Sequence, residues 1–276
     1  MKVAVVGHVE WVDFVRVERL PAPGEIVHAL EAWAEPAGGG GVAAVVLAAL
    51  AGECTLFTAL GDDELGRRSA AELSGHGVRV EAVIRPEPQR RAVTHVDDTG
   101  ERTITLLSHK LIPRKDDPLP WAELAGYDAV YFTGGDPGAL RAARAGRSLV
   151  ATARELPTLV EADVQLDALV RSGRDPGETY EEGWLDPPPR IAVATEGSEG
   201  GLVSDGGEVR RYAAAQLPGP VLDMYGAGDS FAAGLTYGLG VGRSLQETLE
   251  LAARCAALAL TRRGAYGGPL VPQGGV

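Results

Sequence analysis

Short, largely apolar runs separated by helix-forming stretches constrain this chain more than any other feature. Val3-Ala4-Val5-Val6 is the first, and residues 54–60, 128–133, 147–152, 166–170 and 190–195 follow. A strand that is apolar on both faces belongs in the middle of a parallel sheet, with the intervening Ala/Leu/Arg-rich stretches as crossover helices. This rhythm predicts an α/β fold, a mostly parallel central sheet with helices on both faces. Gly38 to about Ala51 and Asp62 to Ser74 read as helices, and Ser244-Leu245-Gln246-Glu247 is a capping box opening a final long one. Leu245, Leu249, Ala252 and Ala256 share a face of that last helix, as a core-packed helix requires. Asp205-Gly206-Gly207 marks a small hairpin.

Two stretches break the rhythm, about 9–35 and 78–110. Phe14-Val15-Arg16-Val17-Glu18 alternates like a half-exposed strand. Arg91–Val96 and Arg102–Leu106 do the same on either side of a turn at Asp97-Asp98-Thr99-Gly100. The expectation is one domain over residues 1–276, in which these excursions pair into a small β-sheet lid over one edge. A lid has open strand edges, so two of them are expected to pair in a homodimer. No repeat is present, and disorder is expected only in the last few residues.

Composition narrows the function by exclusion. A chain of 276 residues, 45% hydrophobic, is large enough for a sizeable core. Its net charge of −12 argues against nucleic acid or an anionic membrane as partner and leaves a small molecule. Cys54 and Cys255 are isolated and read as buried free thiols. The first apolar run is too short for a secretion signal, and nothing approaches the ~20 apolar residues of a membrane span, so a cytoplasmic protein is expected. No Gly-Lys pair exists for a P-loop, the first strand ends Gly7-His8-Val9-Glu10 rather than in a dinucleotide fingerprint, and the histidines (8, 28, 76, 95, 109) lack zinc spacing.

The chemistry therefore falls to Asp223-Met224-Tyr225-Gly226-Ala227-Gly228-Asp229, followed by the helical run Ser230-Phe231-Ala232-Ala233. Two glycines around an alanine let backbone amides approach a ligand at a helix N-terminus, where unpaired N–H groups favour an anion. Asp229 would repel that anion unless it has its own task. Taking a proton from a nucleophile that attacks the anion is the obvious one, and that is phosphoryl-transfer chemistry.

These residues resemble the PfkB (ribokinase-like) family of sugar and nucleoside kinases over nearly the whole chain. Asp223–Asp229 matches the family's Asp-Thr-x-Gly-Ala-Gly-Asp signature. Pro21-x-Pro-Gly24-Glu25, Leu60–Gly66, Asp98–Thr103, Thr195–Gly200 and Leu260–Ala265 match others in the family's order. The resemblance implies transfer of the γ-phosphoryl group of ATP to a hydroxymethyl group of a small sugar, nucleoside or sugar-like acceptor. It implies Asp229 as general base, with the amides of Gly226, Ala227 and Gly228 as anion hole. Thr195, Gly197, Gly200 and Gly264 would contact the nucleotide. Gly38, Gly39, Val42 and Asp13, with Glu10 as runner-up, would contact the acceptor. Asp175 would serve Mg²⁺, and Asp223 with the loop at Gly264 and Ala265 would hold a monovalent cation such as K⁺.

The departures cluster on acceptor and metal contacts. An Asn is usual shortly after the first Gly-Gly, where this chain has Val42 and Ala43. The family's Asn-x-x-Glu appears as Ser172-Gly173-Arg174-Asp175, and Ala151-Thr152-Ala153-Arg154 stands where many relatives carry Asp and Asn. A missing hydrogen bond to a buried sugar would cost about 1–3 kcal/mol, so a less polyhydroxylated acceptor than ribose is expected. The alternative is a catalytically silent binder of nucleotide or small ligand on the same scaffold.

Overall fold

The computed structural model describes residues 1–272; residues 273–276, in the tail where disorder is expected, lie outside the described residues. In chain order the elements begin β1 (Val3–Val6), β2 (Glu10–Arg16), β3 (Glu31–Ala37), α1 (Gly38–Ala51), β4 (Cys54–Gly61), α2 (Glu64–Gly75) and β5 (Val78–Arg85). Next come β6 (Arg91–Val96), β7 (Arg102–Leu106), β8 (Ala129–Phe132), α3 (Pro137–Ala143), β9 (Ser148–Thr152) and α4 (Leu156–Ala162). The chain finishes with β10 (Ala168–Ser172), β11 (Ile191–Thr195), β12 (Gly201–Asp205), β13 (Glu208–Tyr212), α5 (Ala227–Val241) and α6 (Leu245–Ala259).

The central sheet has nine strands in the order β13-β12-β11-β10-β9-β8-β1-β4-β5. Every neighbouring pair from β11 to β5 is parallel, and the β12–β13 hairpin closes one edge antiparallel. Alternation along β1 feeds two cores. Val3 and Val5 join Val45, Leu235 and Leu251 of α1, α5 and α6, whereas Ala4 and Val6 join Leu140 and Leu159 of α3 and α4. Parallel strands bring their C-terminal ends to one edge, so the loops after β1, β8, β9, β10 and β11 line up there.

A second sheet, β3-β2-β6-β7, covers that edge. β2 pairs antiparallel with β3 and parallel with β6, so this lid is mixed. Its second excursion is narrower than expected, and its first runs on to Ala37. Val78–Arg85, assigned from sequence to the second excursion, is the edge strand of the central sheet and pairs parallel with β4. Phe14 stacks on Trp33 at 4.9 Å and meets Tyr225 edge-on at 4.9 Å, and Val12, Ala92 and Val96 fill in around Val42. The lid thus sits on the segment that opens α5.

The hairpin tip is pinned there too. Asp97 Oδ1 accepts the amides of Thr99 and Glu101, and the Gly100 carbonyl accepts the Met224 amide at 2.9 Å. β7 is an edge strand with all its residues exposed, the feature behind the expected pairing of two lids. No described helix is long and apolar enough to cross a membrane. Cys54 and Cys255 are free and buried, and burial raises both thiols out of the reactive range.

Candidate active site

Two helix N-termini converge at the covered edge. Gly38 opens α1 with φ +79° and Gly226 caps α5 with φ +73°, the left-handed backbone that glycine adopts without strain. Tyr225 ties the two turns together, its hydroxyl accepting the Gly38 amide at 3.1 Å. Val42 packs beneath, so close that a side chain at Gly226 would lie 3.1 Å from its Cγ1. Among the described residues the amides of Gly226, Ala227, Gly228 and Asp229 donate to no acceptor, while the Gly226 carbonyl takes the Ser230 amide at 2.9 Å and starts the helix.

Asp229 projects from the first turn of α5 toward α1. A Cβ on Gly39 would stand 3.1 Å from Asp229 Oδ1, 2.7 Å from Thr133 Oγ1 and 3.5 Å from His8 Cε1. Gly39 is therefore the gap through which the carboxylate reaches the edge of the sheet. Burial raises the Asp229 carboxyl above its ordinary value; nearby His8 opposes this, Glu178 adds to it, and Arg102 and Arg154 oppose it. A part-buried carboxylate with a raised pKa beside unpaired amides can accept a proton while the amides hold an anion.

Next to it lies a buried ion cluster. Glu10 Oε1 is 3.3 Å from His8 Nε2 and 2.8 Å from Arg90 Nε, and the side chains of Glu10 and Arg90 are 9% and 7% exposed. Burial pushes the Glu10 carboxyl up, but His8, Arg90 and Lys110 together leave it below its ordinary value, so it is ionised. His8 Nδ1 lies 3.1 Å from the Thr133 carbonyl, which fixes the ring. From the lid, Arg102 donates to the Met224 carbonyl at 3.1 Å, placing a cation beside the α5 turn.

The model for the "pfkB family carbohydrate kinase" matches residues 1–162 and 186–272. The chain belongs to the pfkB family of carbohydrate kinases. An ATP-dependent ribose-1-phosphate kinase of Halopiger xanaduensis is 31% identical over 295 aligned positions, covering 98% of this chain and 95% of the relative. Adenosine kinase from Sinorhizobium meliloti has the same fold, with a TM-score of 0.78 at 23% identity over 98% of this chain and 96% of that one. So does the ribokinase of Arabidopsis thaliana complexed with ribose and ATP, with a TM-score of 0.72 at 22% identity over 95% and 93% of the two chains.

The structure of this carbohydrate kinase brings Asp229, Gly226, Ala227, Gly228, Gly38, Gly39 and Val42 together. Asp13 lies elsewhere. Side chains alternate along β2, and Asp13 points away from the face that carries Val12 and Phe14, pairing with Arg91 at 2.8 Å on the outer side of the lid. The carboxylate on the site's side is Glu10, an even number of residues from Val12.

Thr195 and Gly197 sit at the C-terminal end of β11, where Thr195 pairs with Ser172 of β10. Gly200 has a packing reason of its own: a Cβ there would fall 2.0 Å from the Tyr212 carbonyl. Gly264 is tied to the segment that opens α5. Its amide donates to Asp223 Oδ2 at 3.0 Å, and a Cβ would meet Glu35 Oε1 at 2.3 Å. Asp223 is 1% exposed, and its other oxygen accepts the Tyr225 amide at 2.8 Å. It staples the C-terminal loop to the turn that opens α5. Among the described residues no group of three or more His, Cys, Asp or Glu is arranged to hold a metal ion.

The sequence alone gives no site role to His8, Arg90, Arg102, Arg154 or Glu178. Arg102 stands inside the Asp98–Thr103 motif and Arg154 inside the departing Ala151–Arg154 stretch. His8, Arg90 and Glu178 are joined only by the fold.

Proposed function

We propose that this kinase transfers the γ-phosphoryl group of MgATP to a primary hydroxyl of a small sugar-like acceptor. Asp229 takes the hydroxyl proton as the acceptor oxygen attacks phosphorus, and ADP leaves from the opposite side. The amides of Gly226, Ala227 and Gly228 hold the transferring group, at about 3–4 kcal/mol per preorganised donor. The nucleotide lies along the C-terminal edge from Thr195 and Gly197 toward α5, and the lid excludes water, the competing acceptor. The observation that carries this reading is Asp229 Oδ1 at the gap left by Gly39, beside amides with no acceptor of their own.

The acceptor lies between the lid and the Gly38-Gly39 turn. The lid face above it presents Val12, Ala92, Ile104 and Leu106 together with the buried Thr94 hydroxyl, which has no partner among the described residues, and Glu10, His8 and Arg90 add a polar group. That supports an acceptor with polar groups toward Glu10 and Thr94 and an apolar part against Ile104 and Leu106. Relatives are named for ribose 1-phosphate, ribose, fructose and acarbose as substrates, which sets the panel. With MgATP and each of these compounds, plus nucleosides, ADP release should depend on the acceptor for at least one. Nucleotide binding with no acceptor-dependent release anywhere in the panel would favour a silent binder.

A further inference from the structure

The family's use of a divalent ion prompts a test of the acids after β10, and they do not fit one. Arg154, in the turn that follows β9, places Nη2 2.7 Å from Asp175 Oδ2 and 2.6 Å from Glu178 Oε1. The remaining oxygens are also engaged. Asp175 Oδ1 accepts the Gly177 amide at 2.8 Å, and Glu178 Oε2 accepts the Ser172 amide at 2.6 Å. A metal approaching either acid would share it with a guanidinium of like charge. The two stretches that match the family model also leave out residues 163–185, the segment that holds both acids.

The location of this cluster matters as much as its charge. Strand order runs β11, β10, β9, β8, β1. A nucleotide reaching from Thr195 and Gly197 at the end of β11 to Asp229 beside β1 and β8 must cross the ends of β10 and β9. Arg154 stands on that line. Its side chain is 48% exposed, and its Nε and Nη1 donate to no described residue. Its charge also reaches Asp229.

We propose that Arg154 is the cation this protein supplies to the nucleotide's phosphate chain, held in place by Asp175 and Glu178 where relatives organise a divalent ion. This rests on the kinase reading above. Mg²⁺ then enters only as part of the nucleotide substrate. A planar guanidinium fixed by two carboxylates keeps its remaining donors oriented toward phosphate oxygens.

Calorimetric titration in EDTA tests this without turnover. Wild type should bind metal-free ADP, and Arg154→Gln should lose about tenfold or more of that affinity, as expected for charge-assisted hydrogen bonds. Binding of adenosine, which lacks phosphate, should not change. Equal ADP affinity in the two proteins would overturn the inference and leave the kinase reading standing. A wild-type protein that bound neither ADP nor adenosine would overturn both. Mn²⁺ titration of the nucleotide-free wild type, followed by electron paramagnetic resonance, adds a reading that needs no folded variant. No tight Mn²⁺ is expected, and tight binding abolished by Asp175→Asn would contradict the assignment.

Discussion

Replacing Asp229 by Asn is expected to lower kcat by about 10²–10⁴, the range for loss of a general base, while ADP affinity stays within a few-fold of wild type. The amide keeps the shape and leaves the α5 turn open, so nucleotide binding has no reason to fail. The same substitution should raise Tm. Burial raises the folded-state pKa of Asp229, so its stabilising share is full below the unfolded value of 3.8 and lost as pH rises through the folded value. At neutral pH the ionised carboxylate therefore costs stability, and Asn removes that cost. A dead enzyme that melts higher is the signature of a residue kept for chemistry. Thermal melts and steady-state rates on one preparation check both halves. Near wild-type turnover would remove Asp229 from the mechanism.

The second large effect is on the fold. Glu10→Ala is expected to cost about 3–5 kcal/mol, because it leaves Arg90 buried without its counter-charge. At about 2–4 °C per kcal/mol for a chain of this size, Tm should fall by roughly 10 °C. The pH dependence has the opposite sign to that of Asp229. The net depression of the Glu10 pKa means its contribution is present above the unfolded value of 4.5 and lost as pH falls through the folded one. Wild type should therefore lose part of its margin over the variant in acid. Glu10→Gln, which keeps hydrogen-bonding capacity, should be milder in stability yet still raise KM for the acceptor. A Glu10→Ala protein as stable as wild type would show that the cluster carries no net charge coupling.

Much of this was legible in the sequence, for identifiable reasons. Strands such as Cys54–Gly61 and Ser148–Thr152 announce themselves because both faces are buried, so neither needs polar residues. The turn that opens α5 is legible because its signal is local: two glycines, a carboxylate and a helix start within a few residues.

What failed to read had a non-local cause. Val78–Arg85 alternates because it is an edge strand with one wetter face, which makes it look like a lid strand. Asp13 and Glu10 differ by an odd number of positions, and in a strand that decides which face a side chain takes. Only the pairing of β2 with β3 and β6 settles it. The grip of Asp175 and Glu178 on Arg154 joins two loops 21 and 24 residues apart, and no spacing rule connects them.

The dependence of kcat/KM for the acceptor on pH bears most directly on the claim that a raised Asp229 carboxyl accepts the hydroxyl proton. The acid limb should fall with unit slope at a pKa above the ordinary aspartate value of 3.8, because activity requires the ionised form. The residual activity of Asp229→Asn should lack that limb. A wild-type profile flat through this range, or the same limb persisting in Asp229→Asn, would contradict the account.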